Sequence, residues 1–119
     1  MKREFLDSVD DIIDAIHKAS SFCSGMTFKS FAKDDKTVYA VIHAIEVVGE
    51  AAKKVPPGVR KKYAAIPWRD ITGMRDKLVH EYFGVDIRTV WATVKEDLPA
   101  LLPLVQRLRD DYSRQRPLE

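Results

Sequence analysis

A chain of 119 residues, 45% hydrophobic and 32% charged, can build one hydrophobic core but not separate catalytic and regulatory modules, so a single domain over residues 1–119 is expected. The net charge of +2 is too small to mark the whole chain as a polyanion binder, and charges interrupt every apolar stretch before it could span a bilayer. The opening lacks the basic-then-apolar order of a secretory signal, and the lone Cys23 has no partner for a disulfide or a thiolate metal site, which together point to the reducing cytoplasm and no membrane.

Taken in chain order, the sequence reads as helix throughout. Phe5, Leu6, Val9, Ile12, Ile13 and Ile16 recur at steps of three and four, predicting an amphipathic helix over about residues 2–20. Serines and Gly25 then mark a connector, with room for a short helical turn. Val38, Val41, Ile42, Ile45, Val48, Ala52 and Val55 make the clearest stripe, stopped by Pro56, Pro57 and Gly58. After the basic piece from Val59 to Ala65, Pro67 suits the first turn of another helix that runs to Phe83 and is stopped by Gly84. Asp86 caps a last helix, which must bend near Pro99 and Pro103 unless those prolines start new turns. No stretch alternates long enough for a confident strand, so the expected fold is an all-α bundle of four or five helices. The closing Leu118–Glu119 pair reads as a tail or a cloning remnant without functional weight.

Charge is distributed unevenly along this frame. Residues 1–20 carry three basic and five acidic groups, whereas residues 53–77 carry eight basic and two acidic ones, a local balance of +6. Such a region attracts a polyanion such as RNA, or else forms an ordinary solvated face.

The three histidines, His17, His43 and His80, match no zinc spacing. His43, Glu46 and Glu50 share one helix face, but a carboxylate-bridged metal site needs ligands from several helices and no second such set exists, so a polar face is the expected role and no metal is assigned. His17 follows the first apolar stripe as a structural residue, and Cys23 reads as a small connector hydrophobe.

The stretch Gly73 to Tyr82, GMRDKLVHEY, concentrates more chemistry. Arginine is a permanently charged fork for phosphate oxygens, and histidine changes charge near neutral pH. Cleavage of RNA requires these two functions, removal of the 2′-hydroxyl proton and stabilisation of phosphoryl charge. On a continuous helix Arg75 and His80 would stand about 140° apart, so they could cooperate only if the helix ended near His80 or if a second copy supplied the partner group across a twofold axis. The same residues also fit a salt-bridged helix with His80 near its C-terminus.

Several segments occur in a familiar order. IEVVGEAAKKV (45–55), IPWRDITGMRD (66–76), LVHEYFGVD (78–86) and VWATVKEDLPAL (90–101) together resemble the HEPN superfamily and, within it, the HepT-like proteins, over Phe5 to about Leu108. The resemblance implies an all-α homodimer with a composite ribonuclease site built from an R-x4-H-x-Y motif at the dimer cleft. It also implies metal-independent cleavage of RNA by a toxin, without a cofactor, beside a cognate nucleotidyltransferase antitoxin of the MNT type. Carried over, Arg75 and His80 match the catalytic pair and Tyr82 the third position, which some family members modify with AMP. Asp76 occupies a supporting position where Asn is more usual, and adds a negative charge beside Arg75. A second reading keeps the same dimer without nuclease activity, as a nucleotide- or RNA-binding partner of the nucleotidyltransferase.

Overall fold

The computed structural model of the chain describes residues 5–80 and 84–115. Its frame is three long helices, α1 (Phe5–Phe22), α3 (Asp35–Lys53) and α8 (Leu98–Gln115), with the short helices α2 (Phe28–Ala32), α4 (Pro57–Lys62), α5 (Trp68–Thr72), α6 (Met74–Leu78) and α7 (Ile87–Ala92). The expected all-α bundle is present, and the shorter helices subdivide two of the segments read from periodicity.

The α1 stripe buries Phe5, Leu6, Val9, Ile12, Ala15, Ile16 and Ala19 against α3 and α8, while Asp7, Asp10, Asp11 and Asp14 face water. Helix α3 is central and touches α1, α2, α5, α6 and α7, with Val41, Ile45 and Val48 wholly inaccessible. Each such side chain adds on the order of 1.5–3 kcal/mol of burial, so the α1–α3 seam dominates the stability of the bundle.

Caps fix where the helices begin. Thr27 and Ser30 exchange side-chain and amide bonds at the start of α2, and Asp34 accepts the Thr37 amide at 3.0 Å at the start of α3. That amide also holds the Asp34 carboxyl below its usual pKa range. Pro57 occupies the first turn of α4, where its missing N–H costs nothing, and Asp86 accepts the Thr89 amide at 3.2 Å to start α7. At the other end of the chain, the ladder widens to a π turn at Thr93–Asp97, immediately before Pro99. A proline cannot donate and crowds the carbonyl four residues back; for Pro99 that carbonyl belongs to Lys95, within the wider turn, and α8 then continues through Pro103.

Two basic and aromatic residues of the middle segment turn out to be structural. Arg60 reaches back over the C-terminus of α3, donating to the carbonyls of Ala52 (3.2 Å), Lys53 (2.9 Å) and Val55 (2.9 Å). It satisfies orphan helix carbonyls and places a cation at the negative end of the helix dipole. Trp68 is buried, and its indole N–H is shared between the carbonyls of Arg60 and Tyr63. Replacing Arg60 by Ala is therefore expected to destabilise the fold by roughly 1.5–3 kcal/mol, read from the urea midpoint, because its charged hydrogen bonds to three carbonyls at the end of α3 are lost.

Tyr63 ties this region to α8 through a 2.9 Å bond from its hydroxyl to Asp111. Burial first, and then the Asp111 carboxylate, push the phenol up to about 12. This contribution to folding is fully present below the ordinary tyrosine value of 10.0 and is lost as the pH rises through 12.

Candidate active site

The residues around Arg75 are placed by one close approach. Gly49 of α3 is buried against the C-terminal end of α5, where an added Cβ would lie 3.3 Å from the carbonyl oxygen of Ile71. A side chain at position 49 would require the two backbones to shift apart by a few tenths of an ångström. Gly73 then closes α5, and α6 begins at Met74, whose side chain is buried in the core. With Met74 anchored inward, Arg75 emerges on the outer surface opposite Glu46, one turn before Gly49 on α3.

Arg75 Nε donates to Glu46 Oε2 at 2.9 Å. The arginine side chain is 58% exposed and that of Glu46 34% exposed. Nε of Arg75 is thus held by Glu46 in a side chain that is more than half exposed. The hydrogen bond to Glu46 raises the guanidinium pKa most, with Asp76 and Glu50 adding to the effect of the Glu46 charge. The guanidinium is ionised at any working pH, so the consequence of Glu46 is orientation. Asp76 is exposed beside it.

The helix expected to run through the motif ends at Leu78. Val79–His80 is extended and pairs antiparallel with Gly84–Val85, in the register Val79 to Val85 and His80 to Gly84. Gly84 adopts φ +81°, a conformation side chains resist, and the Asp86 amide closes the ladder onto the Leu78 carbonyl at 2.9 Å. The angular separation of Arg75 and His80 on a common helix therefore does not apply: Arg75 is on α6 and the backbone of His80 is on a strand. Tyr82 lies outside the described residues, as does the side chain of His80.

Other candidates resolve differently. His43, Glu46 and Glu50 do share the outer face of α3, but Glu46 turns to Arg75 and Glu50 to Lys53, at 3.1 Å. No group of three or more His, Cys, Asp or Glu among the described residues is placed to hold a metal ion, and none of their helices is long and apolar enough to cross a membrane. Cys23 is buried, and burial pushes its thiol pKa up. Part of the basic segment is committed to the fold, with Arg60 on α3 and Lys62 over the rings of Tyr63 and Tyr112. Glu46 is the site residue that sequence reasoning missed: it was visible only as one member of a polar helix face.

Residues 12–108 match the family described as Ribonuclease HepT-like, and the chain belongs to that family, within the HEPN superfamily. It is 46% identical over 109 residues to "Probable ribonuclease HepT" of Thermococcus cleftensis, covering 92% of this chain and 99% of that protein. It is 39% identical over 110 residues to a protein named "Putative RNase" of Methanocaldococcus jannaschii, covering 92% and 95% of the two chains. A protein of Caldanaerobacter subterraneus also named "Putative RNase" is 42% identical over 84 residues, 71% of this chain and 75% of its own. No solved structure matches the chain.

Proposed function

We propose that this single-domain protein is an endoribonuclease that cleaves RNA without a metal ion, and that Arg75 and His80 are its catalytic pair. The observation that carries the reading is the state of Arg75, anchored through Nε by Glu46 in a side chain that is more than half exposed. An oriented, exposed guanidinium fork matches two oxygens of a phosphodiester. Five residues on, the ladder to Gly84 fixes the backbone from which the His80 side chain projects. The relatives named as ribonucleases support the same reading.

In this mechanism an imidazole takes the 2′-hydroxyl proton as that oxygen attacks the adjacent phosphorus. The bond to the 5′ oxygen breaks, and that oxygen receives a proton from an imidazolium, leaving a 2′,3′-cyclic phosphate and a 5′-hydroxyl. Arg75 neutralises the charge that builds on the non-bridging oxygens. In a homodimer the twofold axis would bring two Arg75 and two His80 into one cleft, with one histidine as base and the other as acid. Asp76 supports the site, and its charge narrows which substrates Arg75 accepts. A cognate MNT-type nucleotidyltransferase is the proposed antitoxin and Tyr82 its AMP acceptor, because nucleotide phosphate at the cleft would repel RNA.

The test is cleavage of RNA by the purified protein in excess EDTA, with the product ends identified. Cleavage with 2′,3′-cyclic phosphate ends is expected, together with growth arrest when the protein is expressed without its partner. Activity lost in EDTA and restored by magnesium would overturn the metal-free mechanism. Intact RNA from a confirmed dimer whose Tyr82 is unmodified by mass would make the motif a binding cleft.

A further inference from the structure

Away from Arg75, one face of the molecule joins cations and aromatic rings in a row. Arg88, Trp91 and Lys95 succeed one another at steps of three and four along α7 and the π turn that continues it. Arg88 Cζ lies 4.3 Å from the centroid of Phe28, on α2. The Phe28 ring meets Trp91 edge to face at 6.1 Å, and Lys95 Nζ stands 4.8 Å from the Trp91 ring. Arg88 and Lys95 are exposed, while Phe28 and Trp91 are half-buried. Trp91 also packs on the wholly buried Phe31, at 5.0 Å between centroids, so the row has a rigid backing.

We propose that this α2–α7 face is a docking track for single-stranded RNA, leading the strand to the hairpin that carries His80. The proposal rests on the ribonuclease reading. Its position argues for that ligand: Arg88 follows Gly84, the backbone partner of His80, by four residues, and Lys95 stands about 10 Å further along the helix axis, a reach of a few nucleotides. The chemistry agrees. A guanidinium stacked on an aromatic ring can receive a base on its outer face, and single strands bind where cations track the backbone and rings support the bases. The exposed Lys29 of α2 and Lys33 just after it add positive charge. The nearby carboxylates Asp34 and Asp86 accept helix N-terminal amides, those of Thr37 and Thr89, and Asp35, Glu96 and Asp97 are the exposed acids of the same segments. A pair of cation–ring contacts can also serve stability alone, and the test separates the two roles.

The experiment measures binding of a labelled single-stranded RNA to the full chain carrying His80→Ala, as a function of salt. Adding Arg88→Glu and Lys95→Glu is expected to weaken binding at least tenfold at low salt. It should also lower the slope of log affinity against log salt by about 1.4, two phosphate contacts' worth for a single strand. A control with the same change in charge, Lys18→Glu with Lys61→Glu, should weaken binding less than threefold. Phe28→Leu, which keeps apolar bulk without the ring, should cost fivefold or more. Equal losses from the two charge pairs, or no loss from the track pair, would overturn the proposal, and so would duplex RNA competing as well as single strands. Wild-type cleavage is measured on the same RNA. Cleavage with no effect of the track variants sinks the track alone, whereas RNA neither bound nor cut sinks the ribonuclease reading with it.

Discussion

Replacing His80 by Ala is expected to slow RNA cleavage by about 10²- to 10⁴-fold, the usual worth of a positioned proton-transfer group. The folded chain should tolerate the change. The backbone of His80 pairs with Gly84, and the ladder is closed by the bond from the Asp86 amide to Leu78, neither of which needs an imidazole. The measurement is the single-turnover rate beside the melting temperature. A large loss of rate with an unchanged melting temperature assigns the imidazole to the chemistry, and a variant that still cuts RNA at the parent rate removes His80 from the mechanism. The pH profile gives a second readout: the limb set by the histidine in the parent should vanish from the residual activity of the variant.

Arg75→Ala is expected to cost about 10²- to 10³-fold in rate, comparable to deleting one preorganised donor to a charged transition state. Arg75→Lys is the more informative companion. It keeps the positive charge but has neither the nitrogen that bonds Glu46 nor a planar fork for two phosphate oxygens. If orientation by Glu46 matters, lysine should recover less than a tenth of the lost rate. Near-complete rescue by lysine would mean that charge alone is needed and that Glu46 is a neutral neighbour. Neither change should lower the melting temperature much, since an exposed ion pair contributes little to stability.

The sequence exposed the parts of this architecture that depend on local rules. The stripes of α1 and α3, the proline at the start of α4 and the Asp86 cap all follow from spacing and from which groups a helix end leaves unsatisfied. The break after Leu78 was hidden for a physical reason: Met74 and Leu78 lie four residues apart, and Val79, Tyr82 and Phe83 extend a pattern a helix would also show. Pairing with Gly84–Val85 overrides that pattern, and a ladder of two residues has no periodicity to betray it. Gly84 was legible as a stop, but its positive φ serves the strand pair rather than a helix end. The Arg75–Glu46 contact spans 29 positions beside the close approach of α3 and α5 at Gly49, so nothing local announced it. Arg60 shows the reverse error. Its charge was counted toward a polyanion surface, whereas its donors are turned inward to three carbonyls. The motif residues Arg75, His80 and Tyr82 were found through resemblance, since an arginine followed five places later by a histidine is too loose a pattern to stand alone.

The connector after α1 has a practical use. Cys23 is the single thiol of the chain, is wholly inaccessible, and sits in surroundings that disfavour the thiolate. A thiol-directed alkylating reagent can therefore reach Cys23 only when the packing around this connector opens. The rate at which the mass rises by one adduct becomes a built-in clock for opening, readable on unlabelled protein in a mixture and able to show whether RNA or a partner slows the breathing of the fold.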